Sequence, residues 1–467
     1  MLRVSSLSYT YPGEAGPALS DVSLEVRAGE CLCITGHSGC GKTTLLLALK
    51  GLLHEGTLTG EAAIDAPPEE LDSDGVGLVF QNAETQIFCS TVAEEVAFGP
   101  ENLCVPPGGI GERVRRALED VRLTGFWNRN VERLSAGQKH RLAIASVLAM
   151  RPRVLLLDEP TSQLDGIGKA QLVTVLKALK EQGYGLVVVE HDLEPFRGLV
   201  DRWVVMEEGR IRAVSDRFPA EYATEAPGSS TPPALRPSTL PPLGGGHAQD
   251  ELSPVIALGD VRLSYPGVGE VLRGVELSVS RGERIHLHGR NGAGKSSLLA
   301  CVAGAVGCDS GSIRVAGIEV TGRTSLFGKV GYLLQNPQRQ LFESTVEEEV
   351  AFSLRRLRLP APEVHRRVEE ALDTCEAAKL ADRLPLSLSF GEQHRVALAS
   401  VIAPRPEVLL LDEPFSGLDL RQRRRLLAIL GSLRERQATT VVIASHDPLP
   451  RRGWPDRVLT MEDGTLA

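Results

Sequence analysis

The feature that most constrains this sequence is an internal repeat whose period is about half of the chain. Characteristic residues of the first half return in the second half at offsets of 253 to 255 positions. The pairs are Tyr11 and Tyr265, Lys42 and Lys295, Gln81 and Gln335, Ser135 and Ser389, Asp158 and Asp412, and His191 and His446. A repeat of this length predicts two units of the same fold on one polypeptide.

The chain has 467 residues, which is too many for one ordinary core and suits two domains. A Pro- and Gly-rich stretch with almost no apolar periodicity lies between the repeats, and it includes the glycine run 244–246. Such a composition is typical of an extended or disordered linker. We therefore predict a first domain at 1–222, a linker at 223–253 and a second domain at 254–467.

Composition and charge limit the classes of function. The formal net charge is -9 and aromatic residues make up only 4% of the chain, so we expect no nucleic-acid partner. The eight cysteines form no CxxC pair and no Cys/His zinc spacing, which fits a reducing cytoplasm. No apolar run approaches the ~18 residues that span a bilayer. If the protein works at a membrane, other chains must supply the channel.

Short apolar runs alternate with helical segments in each unit. The runs 154–157 and 408–411 have the character of buried parallel strands, and helical segments are predicted after Lys42, Gly137 and Asp165. The beginning of each unit has the character of antiparallel strands. This alternation predicts an α/β fold with helices on both faces of a sheet.

Each unit contains a glycine-rich loop of the form GxxxxGK[ST] between a strand-like run and an apolar helix. Glycines let the backbone curl so that its N–H groups point at phosphate oxygens, and the helix that follows favours the anion. Lys42 and Lys295 would reach the β- and γ-phosphates, and Thr43 and Ser296 would place a hydroxyl on Mg²⁺. The candidate phosphate contacts are Gly36, His37, Ser38, Gly39, Cys40, Gly41, Lys42, Thr43 and Thr44, and Gly289, Arg290, Asn291, Gly292, Ala293, Gly294, Lys295, Ser296 and Ser297.

An acidic pair follows the central apolar run of each unit. These pairs are Asp158 with Glu159 and Asp412 with Glu413. Ligands of parallel α/β sheets gather at the carboxyl ends of strands, where both pairs are expected to lie. The first carboxylate of each pair is predicted to hold Mg²⁺ through water, and the second to orient or deprotonate an attacking water.

Residues 153–165 closely resemble the Walker B motif and D-loop of ABC ATPases, and 134–138 and 388–392 resemble that family's signature motif. The resemblance covers nearly the whole chain outside the linker. It implies two P-loop NTPase domains, each with a RecA-like core, an antiparallel β subdomain and a helical subdomain. It also implies that the two domains pair head to tail and enclose two ATP molecules with Mg²⁺.

Further roles follow from this resemblance. Gln81 and Gln335 resemble the Q-loop glutamine, which contacts Mg²⁺ and the attacking water. His191 and His446 resemble the switch histidine that contacts the γ-phosphate. Both units keep the complete set of motif residues, so we predict two hydrolytic sites.

The signature residues are implied to grip the nucleotide that the opposite unit binds. They are Ser135, Gly137 and Gln138 in the first unit and Ser389, Gly391 and Glu392 in the second. The serines also have the character of helix N-caps, and one residue can do both. Ala136 and Phe390 replace the first glycine of the family pattern, and Glu392 replaces its glutamine. The bulky Phe390 is expected to weaken or reshape the site that the second unit completes.

Tyr11 and Tyr265 resemble the aromatic residue that stacks on adenine in this family. Two alternatives stay open for the first unit. Tyr9 lies two positions away and competes for the role, and the segment Tyr-Pro-Gly also has the composition of a simple turn.

The segments after each Q-loop glutamine indicate a type of transporter. Residues 80–88 with 91–103, and 335–342 with 345–352, resemble the ATPases of energy-coupling factor importers, which take up vitamins and transition-metal ions in prokaryotes. The resemblance implies a transmembrane coupling protein and a separate membrane substrate-binding protein as partners. It places the chain at the cytoplasmic face of the cell membrane, with a vitamin, vitamin precursor or metal ion as cargo.

Two acidic clusters in these segments have two interpretations. Glu94, Glu95, Glu347, Glu348 and Glu349 could meet arginines on the coupling helices of a membrane protein. Alternatively, they could belong to the first turns of helices, where acidic side chains are favoured. If they dock a partner, reversal of Glu348 and Glu349 to lysine should release the ATPase from it.

Two other functions compete with this interpretation. A soluble tandem ABC protein that acts on ribosomes usually carries a long, charged, helical linker and basic surfaces, whereas this linker is Pro/Gly-rich and the chain is acidic. A tandem sugar-importer ATPase is the other alternative. Its second unit commonly departs from the consensus, whereas the second unit here keeps its Gly-Lys-Ser and Asp-Glu-Pro segments.

Overall fold

The structure is a computed structural model that describes residues 1–14, 16–65, 75–162, 164–220, 254–322, 324–449 and 453–466. The chain divides into two compact units, Met1–Ser229 and Ser230–Ala467. The predicted linker at 223–253 lies outside the described residues, so the proposed domain boundaries stay a prediction.

The first unit contains strands β1 to β9 and helices α1 to α5 within the described residues. The strands are β1 (Leu2–Thr10), β2 (Leu19–Val26), β3 (Cys31–Thr35), β4 (Thr57–Ile64), β5 (Val76–Val79), β6 (Val154–Asp158), β7 (Gly185–Val189), β8 (Arg202–Glu207) and β9 (Arg210–Ser215). The helices are α1 (Lys42–Leu49), α2 (Val92–Asn102), α3 (Pro107–Asp120), α4 (Ala136–Leu148) and α5 (Gly166–Glu181).

The larger sheet of the first unit has the strand order β5-β6-β7-β3-β8-β9. Its pairs are parallel from β5 to β8, and β9 is antiparallel to β8. A smaller antiparallel sheet has the order β2-β1-β4. Strands β3, β6 and β7 are buried along their whole length, as expected for parallel strands covered on both faces.

Two hydrophobic cores cover the two faces of the larger sheet. One core joins the sheet to the antiparallel strands and α1, and includes Leu45 and Leu156. The other joins it to α2 through α5, and includes Leu142, Leu155 and Leu176. Alternate residues of one buried strand therefore point into different cores, which explains the continuous apolar runs of the sequence.

The second unit contains strands β10 to β19 and helices α6 to α10 within the described residues. The strands are β10 (Ile256–Tyr265), β11 (Gly269–Val279), β12 (Arg284–His288), β13 (Ser310–Val315), β14 (Ile318–Glu319), β15 (Val330–Leu333), β16 (Val408–Asp412), β17 (Thr440–Ser445), β18 (Arg457–Glu462) and β19 (Thr465–Leu466). The helices are α6 (Lys295–Val302), α7 (Val346–Arg356), α8 (Ala361–Thr374), α9 (Phe390–Ile402) and α10 (Leu420–Gln437).

The second unit repeats the architecture of the first. Its mostly parallel sheet has the order β15-β16-β17-β12-β18-β19, and its antiparallel sheet has the order β11-β10-β13-β14. The predicted α/β class, with antiparallel strands at the start of each unit and helices on both sheet faces, is confirmed. Every helix in the described part of the chain is too short or too polar to cross a bilayer.

Candidate functional site

The phosphate loop of the first unit joins β3 to α1 and curls around the side chain of Lys42. The Lys42 ammonium is buried and donates to the carbonyl oxygens of Gly36 at 2.9 Å and His37 at 3.1 Å. Gly41 precedes the helix with φ 98°, and a Cβ there would lie 2.5 Å from the Ala18 carbonyl oxygen. Only glycine fits this left-handed, crowded position, so the loop depends on its sequence.

The second unit builds the same loop between β12 and α6. Lys295 is buried and donates to the carbonyl oxygens of Gly289 at 2.8 Å and Arg290 at 3.1 Å. Gly294 has φ 105° at the start of the helix. One contact has no counterpart in the described first unit: the Lys295 ammonium also lies 3.2 Å from a carboxylate oxygen of Glu413.

The predicted metal carboxylates lie at the ends of the buried strands β6 and β16. The pKa of Asp158 is raised to about 7, chiefly by burial and also by the charge of Glu159, while a hydrogen bond from Thr43 opposes the shift. Burial likewise raises the pKa of Asp412 to about 6, against a hydrogen bond from Ser296 at 2.9 Å. Burial thus disfavours the charged form of both carboxylates, which a bound cation would restore.

The first of these sites fits a Mg²⁺ ion. The Oδ1 atom of Asp158 is buried and accepts no hydrogen bond from the described residues. A buried, unpaired carboxylate oxygen beside a threonine hydroxyl offers the hard oxygen ligands that Mg²⁺ prefers. In the second unit the corresponding pair is Ser296 and Asp412, whose side chains are hydrogen-bonded to each other.

In the first unit, Glu159 lies between the predicted Q-loop glutamine and the switch histidine. The Gln81 Nε2 group donates to one carboxylate oxygen at 2.8 Å, and the Nε2 atom of His191 lies 3.0 Å from the other. The backbone of Glu159 is left-handed, with φ 44°. Such strain is uncommon outside glycine and collects at functional sites.

In the second unit, the corresponding carboxylate of Glu413 makes different contacts. It accepts a hydrogen bond from the backbone N–H of His446 at 3.1 Å, lies 2.9 Å from the ring Nδ1 atom of the same residue, and pairs with Lys295. Gln335 is exposed and, within the described residues, makes no hydrogen bond to Glu413. Of the three corresponding residues in the second unit, Glu413 and His446 are in contact, whereas Gln335 does not join them.

Sequence reasoning did not identify Glu190, which follows β7 and is buried against the first site. Its carboxylate accepts hydrogen bonds from the Thr161 hydroxyl at 2.6 Å, the Thr161 N–H at 2.9 Å and the His191 N–H at 3.1 Å. Burial raises its pKa to about 8, although the Thr161 hydrogen bonds oppose the shift. The available signal was an acidic residue directly before the switch histidine, on an otherwise apolar strand.

The two tyrosines near the first phosphate loop have different environments. Tyr9 is only 2% exposed, and its hydroxyl donates to the Glu55 carbonyl oxygen. Tyr11 is 37% exposed, packs edge-on against Tyr9, and its hydroxyl lies 3.1 Å from that of Thr44. Tyr9 is therefore a core residue, whereas Tyr11 has an accessible ring next to the phosphate loop. Tyr265 of the second unit is half-buried.

The signature serines cap the helices α4 and α9. The Ser135 hydroxyl accepts from the Gln138 N–H at 3.3 Å, while the Gln138 side chain accepts from the Ser135 N–H at 2.9 Å. In the second unit the Ser389 hydroxyl and N–H both donate to Glu392, at 2.7 and 3.0 Å. The N-cap role expected for both serines is thus present. Nucleotide binding by these residues, and by Gly137 and Gly391, stays a prediction.

The acidic clusters that follow the Q-loops are helix-start structures. Glu95 and Glu349 are 3% and 2% exposed, and each accepts two backbone N–H groups of the preceding loop. Glu94 completes a capping box with the N-cap of α2. Docking through Glu95 and Glu349 is therefore a wrong prediction, because buried carboxylates cannot meet a partner's arginines. The proposed reversal of Glu349 would disrupt the fold rather than test docking.

Buried lysines in glycine-rich loops and carboxylates at neighbouring strand ends define a P-loop nucleotide-binding protein with two sites of the same class. Known proteins agree with this class. The sequence profile of the family described as "ABC transporter" matches residues 19–162 and 272–416.

A protein of Methanosarcina acetivorans, provisionally assigned as an ABC transporter ATP-binding protein, is 34% identical over 100% of this chain and 89% of its own length. One with the same assignment from Caldanaerobacter subterraneus is 33% identical over 99% of this chain and 90% of its own length. The solved structure of cbiO1 from Clostridium perfringens, part of the ABC transporter complex cbiONQ, is 30% identical and covers 46% of this chain and 87% of that chain, with a TM-score of 0.43. The chain belongs to the ABC transporter family and carries two of its ATPase domains.

Proposed function

We propose that this chain hydrolyses ATP and thereby energises an energy-coupling factor-like importer of a vitamin, vitamin precursor or metal ion. The contacts of Glu159 with Gln81 and His191, at 2.8 and 3.0 Å, carry the hydrolytic part of this proposal. A carboxylate between an amide and an imidazole, at the strand end beside a phosphate loop, has the neighbours that a general base needs.

The residues of the first site have separate tasks. Lys42, now held by carbonyl oxygens of its own loop, binds the β- and γ-phosphates when they arrive. Glu159 accepts the proton of the attacking water, while Gln81 and His191 fix the direction of its carboxylate. Mg²⁺ would be held near Thr43 and Asp158 in the first unit and near Ser296 and Asp412 in the second, where it would supply positive charge against the phosphate oxygens.

The importer type rests on the segments that follow the Q-loops and on a surface feature within them. Phe88 is 63% exposed and packs edge-on against Phe98, with ring centroids 4.5 Å apart. Phe342, 61% exposed, packs in the same way against Phe352 at 4.9 Å. Exposed aromatic pairs at equivalent places of both units favour docking of a protein partner. Burying these rings against a partner would remove apolar surface from water, which lowers the free energy.

This partner is the proposed transmembrane coupling protein, which acts together with a membrane substrate-binding protein. The chain would then work as a peripheral protein at the cytoplasmic face of the membrane, with its two domains paired head to tail around two ATP molecules. That pairing would bring the signature residues Ser389 and Ser135 to the nucleotides held by Lys42 and Lys295.

Hydrolysis is tested by replacing both candidate bases, in the double variant Glu159→Gln with Glu413→Gln. We expect ATP turnover to fall by at least 100-fold, because general-base catalysis contributes roughly 10²–10⁴-fold. ATP binding should persist, since neither lysine is changed, and the variant should retain unhydrolysed ATP on a gel-filtration column. Unchanged turnover would mean that neither glutamate is the base.

Docking is tested by co-purification from the native membrane in mild detergent. The variant Phe88→Ala with Phe342→Ala should lose the membrane proteins that the wild-type chain retains. The control variant Val214→Ser with Val268→Ser removes apolar side chains that are 52% and 75% exposed elsewhere on the surface, and it should retain them. Equal retention by both variants would contradict docking through the aromatic pairs.

A further inference from the structure

The first unit has an arginine-rich groove that the second unit lacks. Its volume is about 560 Å³. Its charged and polar lining comes from α3, from the turn before β6 and from the turn before β7. These residues are Glu112, Arg113, Arg116, Asp120, Arg151, Arg153, Gln182 and Tyr184. Four arginines against two carboxylates make the groove positively charged.

The groove is separate from the candidate nucleotide site. Arg153 directly precedes β6, whereas Asp158 is the last residue of that strand. The groove therefore lies at the amino-terminal edge of the parallel sheet, and the phosphate loop lies at the carboxyl-terminal edge. A five-residue strand separates these edges by roughly 16 Å.

The second unit shows how the same place is closed. Glu370 stands at the position of Arg116, and Glu407 at that of Arg153. Glu370 binds Arg405 at 2.6 Å, and Glu407 pairs with Lys329 and Arg281. Only about 20 Å³ of space remains there. Arg116 and Arg153 of the first unit thus correspond to glutamates that pair with basic side chains in the second unit, and the opening at this place is larger in the first unit.

We propose that the groove of the first unit binds a small ligand with two or more phosphate groups. Arginine forks match phosphate oxygens in pairs, and the four arginines, two on α3 and two in the turn before β6, can contact one polyanion from two sides. Tyr184 adds a neutral hydroxyl to the lining, in which the Gln182 side chain donates to Asp120 at 3.0 Å. A groove of this size accepts a free polyphosphate or a phospholipid headgroup.

The test uses the full chain with Lys42→Ala and Lys295→Ala, so that the phosphate loops do not bind the probe. Calorimetry with inorganic tripolyphosphate measures the soluble arm, and co-sedimentation with vesicles that contain cardiolipin, whose headgroup carries two phosphates, measures the lipid arm. Arg116→Glu with Arg153→Glu, which copies the second unit, should weaken binding at least tenfold in the arm that responds. Both side chains are exposed, so the fold should be kept, and the thermal midpoint checks this.

The matched control, Arg210→Glu with Arg212→Glu, makes the same charge change on the exposed strand β9. It should leave binding within twofold of the parent. Binding of tripolyphosphate assigns a soluble ligand, and binding of vesicles alone assigns a lipid headgroup. The proposal is overturned if neither probe binds, if the groove variant binds as tightly as the parent, or if both charge reversals weaken binding equally.

An independent observation concerns Glu190 and the direction of the catalytic carboxylate. In the first unit Glu190 accepts the His191 N–H at 3.1 Å. In the second unit Ser445 replaces it, and the Ser445 hydroxyl donates to the Asp447 carbonyl oxygen instead. There the N–H of His446 donates to the catalytic candidate itself at 3.1 Å.

The replacement of Glu190 by Ser445 accounts for the different positions of the Glu159 and Glu413 carboxylates. When another acceptor takes the histidine N–H, Glu159 remains directed towards Gln81. When none does, Glu413 turns to the N–H and to Lys295. We infer that Glu190 is a positioning residue that keeps Glu159 directed towards Gln81. This inference rests on the proposed hydrolysis.

The variant Glu190→Ser, which copies the second unit, tests this role. In a chain that also carries Glu413→Gln, so that turnover reports on the first site, kcat should fall roughly tenfold, because a displaced carboxylate loses its alignment with water. The KM for ATP should stay within twofold, since the lysine is untouched. Thr161→Val is the control: it removes the 2.6 Å hydrogen bond to Glu190 but leaves the acceptor of the His191 N–H, so kcat should hold within twofold.

A crystal structure of Glu190→Ser decides the geometry even if the chain shows no turnover, so failure of the inference and failure of the proposed function are distinguishable. We expect Glu159 within hydrogen-bond distance of the His191 N–H, with the Gln81 contact broken. An unchanged contact between Gln81 and Glu159 overturns the inference, as does an equal loss of kcat in Glu190→Ser and Thr161→Val.

Discussion

The two nucleotide sites of this chain share a lysine, an aspartate–glutamate pair, a glutamine and a histidine in the same order, but these residues differ in their contacts. In the first site, Glu159 meets Gln81 and His191, and its side chain is 13% exposed. In the second site, Glu413 lies against Lys295 and His446 and is 8% exposed. The residues that both sites share therefore do not fix one geometry. The residues behind them, Glu190 in one unit and Ser445 in the other, contribute to it.

The largest expected difference between the sites is in turnover of the single glutamate variants. Glu159→Gln should lower kcat by roughly 10²–10⁴-fold, or about 3–5 kcal/mol of barrier, because its carboxylate is already free of the lysine. Glu413→Gln should lower it less than about twofold, because Glu413 must first leave Lys295 and the second site then supplies little of the turnover. Steady-state phosphate release measures both. A larger loss in Glu413→Gln would reverse the comparison.

A second prediction concerns a feature in which the units should agree. His140 and His394 occupy equivalent places on α4 and α9, and burial lowers the pKa of each to about 4. Below pH 6.5 the unfolded chain binds these protons and the folded chain does not. Stability is therefore lost as pH falls from about 6.5 to 4, by roughly 3 kcal/mol per histidine.

Urea unfolding at pH 7 and at pH 5 measures the first part of this loss, about 2 kcal/mol per histidine. His140→Leu and His394→Leu should each reduce it by a similar amount, because leucine fills the site without titrating. If the acid-induced loss of stability became smaller in only one of the two variants, the other buried histidine would not contribute to it.

Glu95 and Glu349 provide a third, smaller comparison. Replacing either by alanine leaves two backbone N–H groups without their acceptor, at a cost of about 2 kcal/mol. We expect similar losses in chemical unfolding for Glu95→Ala and Glu349→Ala. Glu347→Ala, on the exposed face of α7, is the control and should change stability by less than about 0.5 kcal/mol. An equally large loss in the control would contradict the proposed support of the loops.

The smallest effect separates the two Q-loop glutamines. Gln81→Ala removes a 2.8 Å hydrogen bond to Glu159 and should lower kcat roughly tenfold, whereas Gln335→Ala removes an exposed side chain without that bond and should lower it less than about threefold. Initial rates at saturating ATP measure both. Equal losses would indicate that the different contacts do not persist during turnover.

Much of the site was predictable because its motifs are contiguous. The phosphate loop must combine glycines with lysine next to a strand, and Asp158 with Glu159 must follow a buried run, so local sequence carries both. The burial of Glu95 and Glu349 was not predictable in this way. Their surroundings come from a loop that folds back onto the helix, and an acidic residue near a helix start fits both a surface and a buried capping role.

The different contacts of Glu159 and Glu413 were also beyond sequence reasoning. They depend on Glu190 and Ser445, which are about 30 residues further along the chain and reach the site only through pairing of β6 with β7 and of β16 with β17. The groove was missed for a similar reason. Its arginines are ordinary surface residues in the sequence and come together only when α3 packs beside the strand starts.

The buried carboxylates Glu95 and Glu349 also have a mechanical consequence. Each carboxylate accepts one hydrogen bond from the backbone N–H of the exposed aromatic residue and one from the residue that follows it. Phe88 is thereby held against α2 and Phe342 against α7. Because these hydrogen bonds connect the loop to the helix start, a displacement of either ring would also displace its helix. A partner that pushes on these rings would therefore move whole helices.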